Sequence, residues 1–265
     1  ADLRVVVRGR NGESPVPVVA ASSPSQCFHA AIEAARIALK YRTPVYLLSD
    51  AYLANGSEPW LIPDVAALPD ISTTFATGPN EGDRFHPYKR DPGTLARPWA
   101  LPGTPGLEHR IGGLEKADVT GAISYDPDNH EQMVRLRAQK VANIADDIAP
   151  LEVDDPDGDA TTLVLGWGST YGPIGAAVRR VRGDGKKVAR AHLHHLNPFP
   201  RNTGEVVRGY EKVLIPEMNT GQLLQLVRAE FLVDAVGYNR VRGLPFRSKE
   251  LADAITAMVD AGNER

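Results

Sequence analysis

Residues 161–196 read TTLVLGWGSTYGPIGAAVRRVRGDGKKVARAHLHHL, and the fold is decided there. Residues 161–165 read as a short strand, apolar at Leu163, Val164 and Leu165. Pro173 suits the first turn of a helix, and the spacing of apolar residues predicts that helix over 173–182. The segment 187–193 is the next strand. Further on, 212–216 reads as another strand, followed by a helix near 220–232. Ser248 heads a last amphipathic helix, with Leu251, Ile255 and Met258 on its inner face. This alternation predicts a compact, doubly wound α/β unit over 154–265.

Working outward, residues 1–75 carry a second such signal. A short strand is expected at 16–20 and another at 45–48. Between them a helix is predicted over 24–41, with Ser23 as its cap, Pro24 in its first turn and Gln26 closing a capping box. Phe28, Ile32, Ala35 and Leu39 form one stripe of that helix, and Cys27, Ala31, Ala34 and Ala38 a small-residue stripe beside it. The intervening 76–153 is a Pro/Gly-rich connection whose only periodic signal is a polar helix near 129–148. A connection this long is expected to be functional or wrapped on a partner. The opening Ala1-Asp2-Leu3-Arg4 reads as a truncated start.

Composition narrows the function classes. A formal net charge of -3 and the absence of a basic cluster argue against nucleic acid. No apolar run reaches the ~18 residues of a membrane span. The single cysteine, Cys27, rules out an internal disulfide and an iron–sulfur cluster held by this chain alone, and it fits a reducing, cytoplasmic setting.

Five groups of residues invite a chemical reading. Gly166-Trp167-Gly168-Ser169-Thr170-Tyr171-Gly172 invites a dinucleotide reading, but Tyr171 stands where the third glycine belongs and the next strand ends in histidines rather than an acid. A tight turn before a close-packed helix is expected instead. His192 and His194 share a strand face that could suit a metal, yet no third ligand lies near, so strand-end hydrogen bonding or a partner interface is favoured. The acidic turn at 154–159 lacks the glycine and closing glutamate of a calcium loop. Glu217, Asn219 and Gln222 sit where a strand gives way to a helix. They are either a site at the carboxyl end of the sheet or a helix cap with interdomain hydrogen bonds. Glu108, His109 and Arg110 stand together between glycines, with Arg97 and Lys116 adding charge. They form either an anion-binding approach or a solvated loop.

Several strings together resemble the alpha subunit of 2-oxoglutarate (2-oxoacid):ferredoxin oxidoreductases. They are CFHAAIEA at 27–34, TPVYLLSD at 43–50, YLANG at 52–56 and EPW at 58–60, with RNGE at 10–13, PVP at 15–17 and GLEH at 106–109. GWGST at 166–170, NPFP at 197–200, EMNTGQ at 217–222 and GLPF at 243–246 complete the series. The resemblance spans nearly the whole chain and implies its C-terminal portion.

That resemblance implies the end of a thiamine pyrimidine-binding-type domain followed by a transketolase C-terminal-like domain. It implies oxidative decarboxylation of a 2-oxoacid, expected to be 2-oxoglutarate, to an acyl-CoA, with electrons passing to ferredoxin. Thiamine diphosphate, Mg2+ and an iron–sulfur cluster are expected in the complex, held mainly by other segments or the beta subunit, with coenzyme A as co-substrate. The core catalytic residues of such subunits lie upstream of Asp2, so none is expected here, and the isolated chain is expected to be inactive. Glu108, His109 and Arg110 would line a route for substrate or coenzyme A; relatives carry an acid where Arg110 stands. Gly168, Ser169, Thr170, Glu217, Asn219 and Gln222 would form a domain interface. The competing reading is a non-catalytic assembly or interface fragment of such a complex. A transketolase-type module from another thiamine enzyme would leave 52–60 and the middle connection unexplained.

Overall fold

The computed structural model describes residues 3–8, 13–110 and 112–261. Asp2, residues 10–12 of the 10–13 string and Ile111 of the 106–113 loop lie outside the described residues. In chain order the elements are α1 (Leu3–Val7), β1 (Val18–Ala20), α2 (Gln26–Tyr41), β2 (Tyr46–Leu48) and α3 (Ala51–Asn55). Next come α4 (Pro127–Asn143), β3 (Val153–Asp154), β4 (Thr162–Trp167), α5 (Tyr171–Gly183) and β5 (Ala189–Leu193). The chain closes with β6 (His195–Asn197), α6 (Thr203–Arg208), β7 (Lys212–Glu217), α7 (Gln222–Phe231), β8 (Val236–Asn239) and α8 (Ser248–Asp260).

The larger sheet has the order β3-β5-β4-β7-β8, parallel throughout except for the edge strand β3. Its central strand β4 is buried from Thr162 to Gly166. Val164 packs towards Ile174 and Val178 of α5 and Leu251 and Ile255 of α8. Leu163 and Leu165 face the other way, into a core shared with Val207, Leu223 and Val227 of α6 and α7 and with Leu3 and Val6 of α1. Helices on both faces make this part doubly wound. Met258 is only partly buried beside Leu251 and Ile255. Ser248 is the first helical residue and Arg247 occupies the cap without a side-chain bond, so the expected serine cap is not made.

The smaller sheet has the order β2-β1-β6. β1 and β2 are parallel, as the spacing predicts, and β6 joins β1 antiparallel. Only His194 separates β5 from β6, so one extended run leaves the large sheet and completes the small one; Ala20 N–H donates to His194 O at 2.8 Å. Residues 195–197 carry no periodic signal, and this pairing was not foreseen.

Two expectations for α2 are corrected. The helix starts at Gln26, because Ser23-Pro24-Ser25 is used as a turn; Gln26 N–H donates to Ser23 Oγ, and Ser22 N–H donates to Gln26 Oε1. The buried stripe is Ala30, Ile37 and Tyr41 rather than Phe28, Ile32, Ala35 and Leu39. Val19 and Ala21 beneath and Ile144 beside it select that face. Phe28 lies outside, its ring 5.3 Å from that of Trp60. The polar helix of the connection begins at Pro127 and is capped by the Asp126 carboxylate, which accepts from Asp128 N–H at 2.9 Å. Before it, the only helix among the described residues of 56–126 is the 3-10 turn Val65–Ala67, and Leu61, Ile62 and Val65 stand in solvent.

An ionic network ties α2 to β6 and to the end of the connection. Arg36 donates to both Glu33 oxygens and to Asp147, while Glu33 also meets His195 Nε2 at 2.9 Å. Burial alone would raise the Glu33 pKa, but the bonds from Arg36 and His195 hold it at about 2, below its ordinary 4.5. The folded-state value is depressed, so the stabilisation is present above pH 4.5 and lost as pH falls towards 2. Glu33→Gln is expected to cost on the order of 2 kcal/mol at pH 7, discounted for its partial exposure. The gap from wild type should close between pH 4.5 and 2 in denaturant titrations. A gap independent of pH would contradict the network's role.

Candidate functional site

The carboxyl ends of β1, β2, β4 and β7 converge, and a cavity of about 610 Å³ opens between the two sheets there. Its walls include Leu48 and Asp50 after β2, Trp167 and Ser169 after β4, Asn219 after β7, and Leu244. Open α/β sheets place their ligand crevices at such strand ends.

Each wall has a local cause. Glu217 ends β7 fully buried and is satisfied by four donors. Trp167 Nε1–H, Asn219 Nδ2–H and Leu223 N–H donate to Oε1 at 3.1, 3.0 and 2.8 Å; Leu224 N–H donates to Oε2 at 3.0 Å. The carboxylate thereby takes up free N–H groups in the first turn of α7. Asn219 Oδ1 accepts from Gly221 and Gln222 N–H, at 2.8 and 2.9 Å. Gly221 has φ 86, a left-handed conformation that favours glycine. On the other wall Gly168 turns the chain at φ 58. Thr170 Oγ1 donates to Trp167 O at 2.6 Å, and Ser169 Oγ donates to Asp50, which also caps α3. The Ser169–Asp50 bond joins the two halves of the chain across the cavity mouth.

Gly168, Ser169, Thr170 and Asn219 are thus brought together on one cavity, with Glu217 directly beneath. Gln222 lies buried at the start of α7, its side chain accepting from Arg4 N–H at 3.4 Å. Asp50 and Trp167 were not singled out for chemistry, although a carboxylate directly after a strand and an indole at a strand's end were legible signals. The glycine-rich turn is a packing device: a Cβ on Gly166 would meet Ile174 Cδ1 at 2.5 Å and Thr170 Oγ1 at 3.1 Å.

The structure places Glu108, His109 and Arg110 elsewhere, away from the cavity. Glu108 and Arg110 are exposed. His109 packs on Phe85, with 5.1 Å between ring centroids, and its Nδ1 lies 2.8 Å from Leu107 O. Lys116 is buried and donates to Gly112 O and Leu114 O. His192 and His194 do share a face, with rings 5.3 Å apart, beside a second cavity of about 450 Å³. Burial, then the neighbouring His194, pushes His192 down to about 3; His194 is lowered by burial as well. His195 turns away to Glu33. Among the described residues no three His, Cys, Asp or Glu side chains converge on a possible metal position. In the acidic turn Asp154 is held by Arg182 and Arg190, at 3.1 and 2.6 Å, and Asp159 by Lys187.

The main cavity can therefore bind and orient through hydroxyl, amide, carboxylate and indole groups. Among the described residues that line it, no histidine pairs Ser169 with a general base, the arrangement nucleophilic catalysis needs.

Known proteins resemble the chain in both sequence and fold. Residues 2–125 match the family described as "Pyruvate flavodoxin/ferredoxin oxidoreductase, thiamine diP-bdg". The 2-oxoglutarate oxidoreductase subunit KorA of Mycobacterium tuberculosis is 58% identical over 97% of the chain, which spans 39% of that protein. The 2-oxoglutarate synthase subunit KorA of Methanothermobacter marburgensis is 25% identical over 97% of the chain and 68% of its own length. A solved 2-oxoglutarate:ferredoxin oxidoreductase from Magnetococcus marinus, with 2-oxoglutarate, coenzyme A and succinyl-CoA bound, superposes with a TM-score of 0.90 at 30% identity. That match covers 98% of this chain and 45% of the solved one. The chain thus spans under half the length of several relatives it matches. By sequence and by fold along nearly its whole length, it belongs with the alpha subunits of the 2-oxoglutarate (2-oxoacid):ferredoxin oxidoreductases.

Proposed function

We propose that this chain is part of the alpha subunit of a thiamine-dependent 2-oxoglutarate:ferredoxin oxidoreductase. The reaction is oxidative decarboxylation of the 2-oxoacid to an acyl-CoA, with electrons leaving to ferredoxin. The observation that carries this reading is that the likeness to a 2-oxoglutarate:ferredoxin oxidoreductase runs across both sheets and the cavity between them.

The chain's own contribution is structural and orienting. The buried Glu217 cap fixes Trp167 and Asn219, and the Ser169–Asp50 bond fixes the two sheets against each other. In this reading the sheet around β1 and β2 forms one wall of a thiamine site. The described residues do not fit Mg2+ or an iron–sulfur cluster, since no three His, Cys, Asp or Glu side chains converge and Cys27 stands alone. Those groups belong to other segments and to the beta subunit, the partner through which ferredoxin is reached. The setting is cytoplasmic; among the described residues no helix is long and apolar enough to cross a membrane. The solvent-facing Leu61, Ile62 and Val65 favour a second role for the middle connection, as a surface that assembles the complex.

Glu108, His109 and Arg110 are proposed to face the approach of an anionic substrate. Arg110 is exposed and makes no ion pair among the described residues. A charged hydrogen bond contributes about 1.5–3 kcal/mol. Arg110→Ala in the assembled enzyme should therefore raise the Michaelis constant for coenzyme A or 2-oxoglutarate by roughly tenfold. Thermal stability should hold, as surface substitutions stay within about 0.5 kcal/mol. Unchanged constants for both would make the loop a connector. The substrate assignment itself is tested by kcat/KM: 2-oxoglutarate should exceed pyruvate by about tenfold or more, since only the former offers a second carboxylate. Equal values would refute the preference for 2-oxoglutarate.

A further inference from the structure

The middle connection gathers cations that the described residues do not neutralise. Lys140, on α4, is only 9% exposed, and its ammonium makes no hydrogen bond among the described residues. Arg97 makes no side-chain hydrogen bond either and lies over the ring of Tyr88, 5.5 Å from its centroid; Arg90 lies over the same ring at 5.9 Å. The Nε atoms of Arg90 and Arg137 are buried without an acceptor among the described residues. The neighbouring acids are few. Asp118 acts on Arg90 and accepts from Gln132 Nε2–H at 2.9 Å. Glu115 stands 3.6 Å from Arg137 and is shared with His130 at 2.6 Å. Arg42, whose Nη1–H donates to Arg97 O at 2.7 Å, adds a further positive charge beside Arg97, so among the described residues the cations outnumber the neighbouring carboxylates Asp118 and Glu115. Burial first, then the charges of Arg90 and Arg97, holds the Lys140 ammonium at about 8 rather than 10.5.

Buried cations are ordinarily paired, so a counter-charge beyond the described residues is called for. We propose that Arg90, Arg97, Arg137 and Lys140 form a binding site for a phosphate group. The excess of positive charge suits a multiply charged phosphate monoester or pyrophosphate better than a single carboxylate. Guanidinium groups meet phosphate oxygens with two parallel N–H bonds, while an ammonium adds a point charge. Tyr88 holds two of the guanidinium groups, and the arginines are half-buried, so one side remains reachable. The site is built from residues outside the strand-end cavity and stands whether or not the proposed reaction is correct.

The test is calorimetric titration of the purified protein with inorganic pyrophosphate. Saturable binding is expected, weakened about tenfold or more by Arg97→Gln, the loss of one charge-assisted pair. Arg201→Gln, which removes a surface arginine paired with Asp146, should leave it unchanged. Lys140→Met removes an unpaired buried cation, so its melting temperature without ligand should hold or rise, while its stabilisation by pyrophosphate disappears. Coenzyme A is then added as a competitor: displacement of pyrophosphate assigns the phosphate to coenzyme A, and its failure assigns it to another phosphate-bearing ligand, the site standing in both cases. No saturable binding at about 1 mM, or the same affinity in Arg97→Gln and wild type, overturns the site and leaves a partner's carboxylate as the missing charge.

Discussion

Glu217→Ala is expected to produce the largest loss of stability of any single polar substitution considered. The wild-type carboxylate is fully buried and accepts from four donors, two of them main-chain N–H groups of α7. Truncation strands all four, and each buried unsatisfied group costs about 1–3 kcal/mol. Allowing for partial relaxation, the loss should be about 4 kcal/mol or more. At this chain length that lowers the melting temperature by roughly 8–16 °C. Glu217→Gln keeps the shape but turns an amide NH2 towards donors, so an intermediate loss is expected. Thermal denaturation of the two variants checks this. A shift within about 2 °C for Glu217→Ala would mean the bonds around Glu217 do not hold β7 and α7 together.

Trp167→Ala is the second. The indole packs against the core beneath the large sheet, lines the strand-end cavity and donates to Glu217. Removing a buried tryptophan costs about 3–5 kcal/mol, and partial exposure puts this one near the lower end. Because Trp167 and Glu217 share a hydrogen bond, the double variant should lose less than the two single losses together. An interaction term of about 0.5–3 kcal/mol is expected from a double-mutant cycle. Strict additivity would show that the indole's contribution is packing alone.

The doubly wound half was legible because β4 and β7 are buried on both faces, and such strands write continuous apolar runs. α5 and α8 each carry one apolar stripe at helical spacing. The stripe of α2 is ambiguous in the sequence for a physical reason. Ala30 and Ile37 face β1, while Phe28 and Ile32 are apolar as well, so the pattern alone offers two faces. β6 was hidden because its pairing is set by chain continuity with β5, which periodicity does not report. At the site, Glu217, Asn219 and Gln222 were visible as a polar cluster at a strand–helix junction. Their convergence with Gly168, Ser169 and Thr170 needed the parallel pairing of β4 with β7. Asp50 is legible as a carboxylate directly after a strand, but its role lies in a contact with Ser169, 119 residues away. The cation group around Tyr88 was invisible for the same reason: Arg90, Arg97, Arg137 and Lys140 are dispersed in sequence and gathered only when α4 packs on the connection.

The most direct measurement is purification of the native complex through this chain, followed by subunit identification and assay of the same sample. The account predicts co-purification with an iron–sulfur-bearing beta subunit, and reduction of ferredoxin or a viologen dye that requires both 2-oxoglutarate and coenzyme A. A chain that purifies without such a partner, in a sample that reduces neither acceptor with any 2-oxoacid, would contradict it.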